Sequence, residues 1–362
     1  MFKRTPTRAV VGTLALALGL GLTACSSSGA KSGAAAGTPT VKIMVGGLDK
    51  QIYLPFQLAQ QLGFYQKYGV KVVLSTESDA VGAEDAMASG QVDMAGAWYI
   101  HTIDFAAKGK AVEDIVQLSG APGEREMCAT NSGVHSAADF AGKTLGVTDL
   151  GSGTDTLTEF IAAQNNLGTS QYHRVGVGAG ATAIAALQNG KAACVMTTQP
   201  TVTAIQKKGV GYSAVDLATT DGAKAAVGGL WPSASVLARA DWVNSHKDAA
   251  QKVVTALVAT MQYISTHSAA DIAAALPPTF TANGSVTKDD YVTALTQDKG
   301  QFLPDGLMPA GGPKNVLATE KLVGVKGAES VDLGKTFTNE FAQAADKALG
   351  VTPTTTPADG NG

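Results

Sequence analysis

Residues 148–156 read TDLGSGTDT, two glycines set among hydroxyls and carboxylates. A short apolar run, KTLGV, leads in, and a helix-like run, LTEFIAAQNNLG, leads out. A strand, a glycine turn and a helix start can together hold an anion. The glycines free backbone N–H groups, the hydroxyls of Ser152 and Thr154 add donors, and a helix N-terminus carries about half a positive charge. A phosphate loop would need GxxxxGK[ST], and no lysine follows Gly153. Gly176, Gly178 and Ala181 imitate the dinucleotide pattern GxGxxA, but MTTQP stands where the ribose-binding acid belongs. Thr156-x-x-Glu159 has the form of a capping box. That explains Thr156 and Glu159 but not the residues before them. The expectation is therefore twofold: Thr156 caps a helix, and Ser152, Gly153, Thr154 and Asp155 face a cleft and receive a carboxylate, sulfonate or carbonyl.

Such a loop needs a sheet behind it, and the chain alternates short apolar runs with helix-like ones. VKIMVGG, VKVVLSTES and VDMAGAW read as strands; LPFQLAQQLGFYQKYG and AEDAMASG read as helices. After APGERE the pattern restarts. AEDAMASGQVDMA in the first half rhymes with AIAALQNGKAACVM in the second, each a short helix, a glycine stop and an apolar strand. This is βαβα patterning, an α/β fold with parallel or mixed sheets covered by helices. Ligands in such sheets sit beyond the carboxyl ends of the strands. Those ends nominate Gly47, Leu48, Asp49, Ser78, Asp79, Trp98 and Tyr99 in the first half, and Ser152 to Asp155, Gly180 and Gln199 in the second. Trp98, Tyr99 and Trp231 could form an aromatic wall, each with core packing as the alternative.

The N-terminus starts with Lys3, Arg4 and Arg8, continues as AVVGTLALALGLGLTA, and reaches Leu22-Thr23-Ala24-Cys25. This has the flanks of an export signal, and its end resembles the bacterial lipobox, in which the cysteine is lipidated. Residues 1–24 are expected to be a signal peptide and 25–40 a flexible tether, SSSGAKSGAAAGTPT having almost nothing to bury. Residues 351–362 read as a frayed tail. The formal charge of −3 argues against nucleic acid as a partner. Cys128 and Cys194 could bridge outside the cytoplasm or remain two small buried hydrophobes, and both readings stay open. The five histidines show no metal-ligand spacing, so no metal and no cofactor is expected.

Taken in order, the lipobox, GGLDKQIYLPFQLAQQLGFYQKYGVKVVL, SGQVD, SAADFAGKTLGVTDLGSGTD, LQNGKAACVMTTQP and VLARADWVNSHKDAAQKVV resemble the substrate-binding lipoproteins of ABC importers of the nitrate/sulfonate/taurine type, and the related thiamine-precursor binding proteins. The resemblance covers residues 41–267 and implies a two-lobed periplasmic-binding-protein-like fold of type II, with mixed sheets, flanking helices and a two-strand hinge. Lobe one would span 41–122 and 239–350, and lobe two 123–238. A small organic solute would bind in the cleft of a monomer held to the membrane by lipid on Cys25, for delivery to an ABC permease and its ATPase. Asp93 has Ala193 as its counterpart, a departure that bears on a structural contact. The positive pattern of a dedicated nitrate or bicarbonate binder is missing. Two rivals remain: an enzyme on the same fold, such as a pyrimidine-precursor synthase, whose cysteine-rich motif is absent, and a protein that presents its ligand to a sensor. No catalytic set stands out, so an enzyme is not expected.

Overall fold

The computed structural model describes residues 37–282, 284 and 286–360. The expected signal peptide, Cys25 and most of the tether lie outside the described residues. Ten strands form two five-stranded sheets. They are β1 (Thr40–Val45), β2 (Lys71–Thr76), β3 (Met94–Trp98), β4 (Val112–Gln117), β5 (Glu124–Ala129), β6 (Thr144–Val147), β7 (His173–Gly176), β8 (Cys194–Thr198), β9 (Gly211–Asp216) and β10 (Ala234–Arg239). The first sheet has the order β2-β1-β3-β10-β4 and the second β7-β6-β8-β5-β9. In each, four strands run in one direction and one, β10 in the first sheet and β5 in the second, runs against them. The rhyming segments fall on equivalent places: helix Ala80–Ala88 with β3, and helix Ala181–Gln188 with β8, each strand at the centre of its sheet.

Periodicity sets the buried faces. In β1 every second residue, Val41, Ile43 and Val45, is buried, as a strand covered by helices requires. Helix Lys247–Thr266 buries Val253, Leu257, Met261 and Ile264 along one stripe, matching its 3.6-residue pattern. Asp93 accepts the Lys42 N–H at 2.8 Å, which fixes β3 beside β1. Cys128 and Cys194 stand directly opposite in β5 and β8, and their sulfurs are bonded.

Residues 118–123 and 217–233 cross between the sheets. They are tied together by Ser119 and Ser233, whose hydroxyls lie 2.9 Å apart, and by the Leu118 N–H donating to Ala234 O at 2.8 Å. The second crossing ends earlier than its expected boundary at 238, because β10 pairs with β3 and β4 of the first sheet. A strand that pairs backbone to backbone belongs to its sheet, whatever its neighbours in sequence.

The tail also departs from expectation. Thr354 and Thr355 donate N–H bonds of 2.8 and 2.7 Å to Asp305, and the Ala358 N–H donates to Met308 O at 2.8 Å. Asp305 is fully buried, and a buried carboxylate must find donors; the tail supplies them in place of water.

Candidate ligand cleft

Loops at the carboxyl ends of both sheets meet around a nearly closed space of about 20 Å³, room for about one water. Gly46, Lys50, Ile52, Tyr53, Ala80 and Trp98 come from the first lobe, and Glu124, Thr148, Ser152, Gly153 and Thr154 from the second. Gly46 ends β1 against helix Ala80–Ala88, so close that a Cβ would lie 2.6 Å from Ala80 Cα. Gly153 is under the same constraint from across the cleft. A Cβ there would lie 2.2 Å from Trp98 Cε3. Only glycine lets the indole of one lobe lie on the helix start of the other.

Two helix N-termini, at Ala80 and Gly153, thus border one space, and Lys50 sits between them. The Lys50 Nζ donates to Gly46 O at 2.7 Å and to Ser78 O at 3.1 Å. Burial lowers the pKa of Lys50, against the pull of Glu124, Asp49 and Asp79. Glu124, 2% exposed, is pushed up to about 8, chiefly by burial and against the pull of Lys50 and Arg125. The N–H groups of Gly153 and Thr154 donate to no group among the described residues. Free N–H groups at a helix start suit an acidic or carbonyl group.

The loop 148–156 is more internally bonded than its sequence implies. The Ser152 hydroxyl donates to Asp149 O at 2.7 Å, lies 2.8 Å from Thr154 Oγ1, and receives the Thr148 hydroxyl at 3.0 Å. Ser152 is also the N-cap: helix Gly153–Gln164 starts one residue on, and the Asp155 N–H points back to Ser152 Oγ at 3.4 Å. The expected cap at Thr156 is therefore corrected by one turn. Thr156 lies inside the helix, and Glu159 pairs with Arg174 at 2.6 Å instead of closing a capping box. The extended backbone at Ser152 is what a cap needs, and no residue type alone fixes where that backbone falls.

Trp98, Ser152, Gly153 and Thr154 line this space. Asp49 and Gly180 meet at an adjoining space of about 20 Å³, which Lys50 also borders. Gly47 lies against the Lys50 side chain, and the Leu48 N–H donates to Thr76. Ser78 contributes its carbonyl to Lys50, while Asp79 caps helix Ala80–Ala88 by accepting the Gly82 N–H at 3.1 Å. Tyr99 turns into the first lobe, where its hydroxyl is 2.6 Å from Thr336 Oγ1 and its ring packs on Phe337. Trp231 stands behind Trp98, edge to face at 5.6 Å, with its indole N–H on Thr319. Asp155 is spent on the Gly151 N–H and on Arg174. Gln199 accepts the Gln51 N–H through its carbonyl at 3.0 Å and bonds Thr203 through its side chain. Sequence reasoning missed Lys50, Tyr53, Glu124 and Thr148. Lys50 follows the nominated Asp49 directly, and Glu124 opens an acid-base-acid run, GERE, which leads into a strand buried at every residue.

The NMT1/THI5 like family matches residues 52–270, more than half the chain. The chain belongs to the NMT1/THI5-like family. Among solved structures, a protein from Bordetella bronchiseptica RB50 is 28% identical with a TM-score of 0.81, covering 86% of this chain and 98% of that one. The alkanesulfonate-binding protein SsuA from Xanthomonas axonopodis pv. citri, bound to MOPS, superposes with a TM-score of 0.62 at 16% identity, over 80% and 93% of the two chains. The NMT1/THI5-like chain therefore has the two-lobed periplasmic-binding-protein fold of type II, found also in substrate-binding components of ABC importers. A 4-amino-5-hydroxymethyl-2-methylpyrimidine phosphate synthase from Legionella pneumophila is 26% identical over 142 residues, 39% of this chain and 44% of the synthase. The match thus spans less than half of that relative.

Proposed function

We propose that this chain is an extracytoplasmic solute-binding lipoprotein, which captures a small organic solute between its lobes and delivers it to an ABC permease and its ATPase by hinge closure. One observation carries the reading: the two lobes supply opposite walls of one polar space, with Trp98 of the first against Gly153 of the second. A site split in this way is complete only when the lobes meet, so solute contacts favour closure over opening. Lys50 and the two helix N-termini favour a carboxylate, a sulfonate or the carbonyl of a heterocycle, and Glu124 adds a partner for a ring nitrogen. Lipid on Cys25 would hold a monomer at the membrane. Among the described residues, no helix is long and apolar enough to cross a membrane.

The pyrimidine phosphate synthases among the relatives favour a second reading, an enzyme acting on a pyrimidine precursor in the same cleft.

The test is a thermal-shift panel on the chain from residue 26 onward, with alkanesulfonates, small carboxylates, aromatic acids and pyrimidines. A solute at a hundred times its Kd should stabilise by about 2.7 kcal/mol. A shift that Glu124→Gln or Lys50→Met removes, with the solute recovered intact by mass spectrometry, supports binding without chemistry. Conversion of the solute supports the enzyme. No shift across the panel overturns the proposed solute classes.

A further inference from the structure

Helix Lys288–Asp298 lies beyond the family match. Its two sides meet different lobes. Tyr291 and Leu295 are buried in an apolar cluster with Leu54, Leu58 and Ile264 of the first lobe, and the Gln51 side chain donates to Tyr291 O at 3.0 Å. The other side is polar and reaches the second lobe. Lys207 donates to Asp290, Gln199 lies 3.3 Å from Gln297, and Arg125 grips Asp298 with two bonds of 2.7 and 2.8 Å. Val286, just before the helix, joins the second lobe's apolar cluster around Val202 and Ile205.

We infer that this helix is a latch, fixed to the first lobe by apolar burial and holding the second lobe shut through polar pairs remote from the solute. The inference rests on the reading that the lobes open and close. Arg125 stands two residues past the first crossing, so its pair with Asp298 sits at the hinge and moves little. Asp290 is eight residues away along the helix, about 12 Å. The Lys207–Asp290 pair therefore cannot share that pivot and must part as the cleft opens. The Lys207 side chain is 60% exposed, so its pair is screened by salt, while the apolar anchor is not. The latch adds to the closed population before solute arrives, and thus raises apparent affinity without touching the cavity.

The experiment is a lobe-to-lobe distance measured between spin labels on Ser89→Cys and Gln164→Cys, both exposed, in the chain without solute. Lys207→Gln, Asp290→Asn and the double variant are compared with the remote surface control Lys191→Gln. Lys207→Gln leaves the Thr287–Asp290 capping box in place, so at least one variant keeps the helix start. The expected result is a shift to longer distances in the latch variants and in wild type at high salt, with the open fraction rising roughly two- to fivefold, the factor of a part-exposed ion pair. Distances equal to wild type in all three variants overturn the latch. If a solute still shortens the distance in that case, the moving-lobe reading stands without it; if nothing changes the distance, both fail. If the variants open but no solute of the panel binds, the latch stands and the solute reading falls.

Discussion

The indole of Trp98 lies across Gly153, one residue from each lobe, with no room for a methyl group between them. Gly153→Ala should therefore prop the cleft open. Its φ is not of the left-handed kind, and alanine is welcome in the first turn of a helix, so the variant should fold normally. Solute affinity should fall roughly tenfold or more, about 1.4 kcal/mol, measured by titration calorimetry. Unchanged affinity would mean that Trp98 swings aside freely.

Ser152→Ala removes the N-cap of helix Gly153–Gln164 and should cost about 1 kcal/mol of stability by urea unfolding. Thr156→Ala, which the sequence pattern marks as the capping position, should cost far less. The reverse ranking would restore the capping box at Thr156.

Cys128 and Cys194 close a loop with a sequence separation of 66 between adjacent strands of the second sheet. Paired Cys128→Ala and Cys194→Ala should lower stability by about 2–4 kcal/mol. Reduction of the native chain should give a similar loss, read by unfolding with and without reductant. The cleft lies at the carboxyl ends of the strands, so solute affinity should change little once folded.

A cluster in the first lobe should make stability fall with rising pH. His101 lies 3.4 Å from Glu84 and 3.1 Å from Asp104. Glu320 is fully buried nearby and is held up at about 9, by burial first and then by Asp104, against the pull of His101. Glu84 is raised to about 8, chiefly by burial. Burial works against the charge of His101, but Glu84 and Asp104 outweigh it and hold the ring at about 9. The folded chain thus keeps protons that the unfolded chain releases, for the acids from about pH 4.5 and for the histidine from about 6.5. All three groups favour the folded state less as pH climbs to 8 or 9. Glu320→Gln should flatten that decline, by up to about 1.4 kcal/mol per pH unit, in denaturation series from pH 5 to 9. An unaltered slope would show that Glu320 ionises freely.

Much of the scaffold was legible in the sequence because sheet and helix periods are local. The rhyme between residues 83–95 and 183–196 marked the same central place in both sheets, since each segment carries its own helix, stop and strand. The glycine turn at residues 148–156 was legible as a turn that opens a helix, because glycine and hydroxyl side chains declare backbone geometry directly. The cap was misplaced to Thr156 because two serine/threonine positions a turn apart both satisfy the pattern, and only the backbone path chooses.

What the sequence by itself determined was the α/β class, the two-part pattern, and the Trp98 and Ser152–Thr154 segments, all set by neighbours within a few residues. Tertiary structure alone decided that Lys50 and Glu124 share a buried space, that Tyr99 and Trp231 face other side chains, and that β10 returns to the first sheet. It also set the packed tail and the bridging helix Lys288–Asp298. These depend on contacts between residues tens to hundreds of positions apart, where burial gives a charge or an aromatic ring its role, and burial is a property of the packed chain.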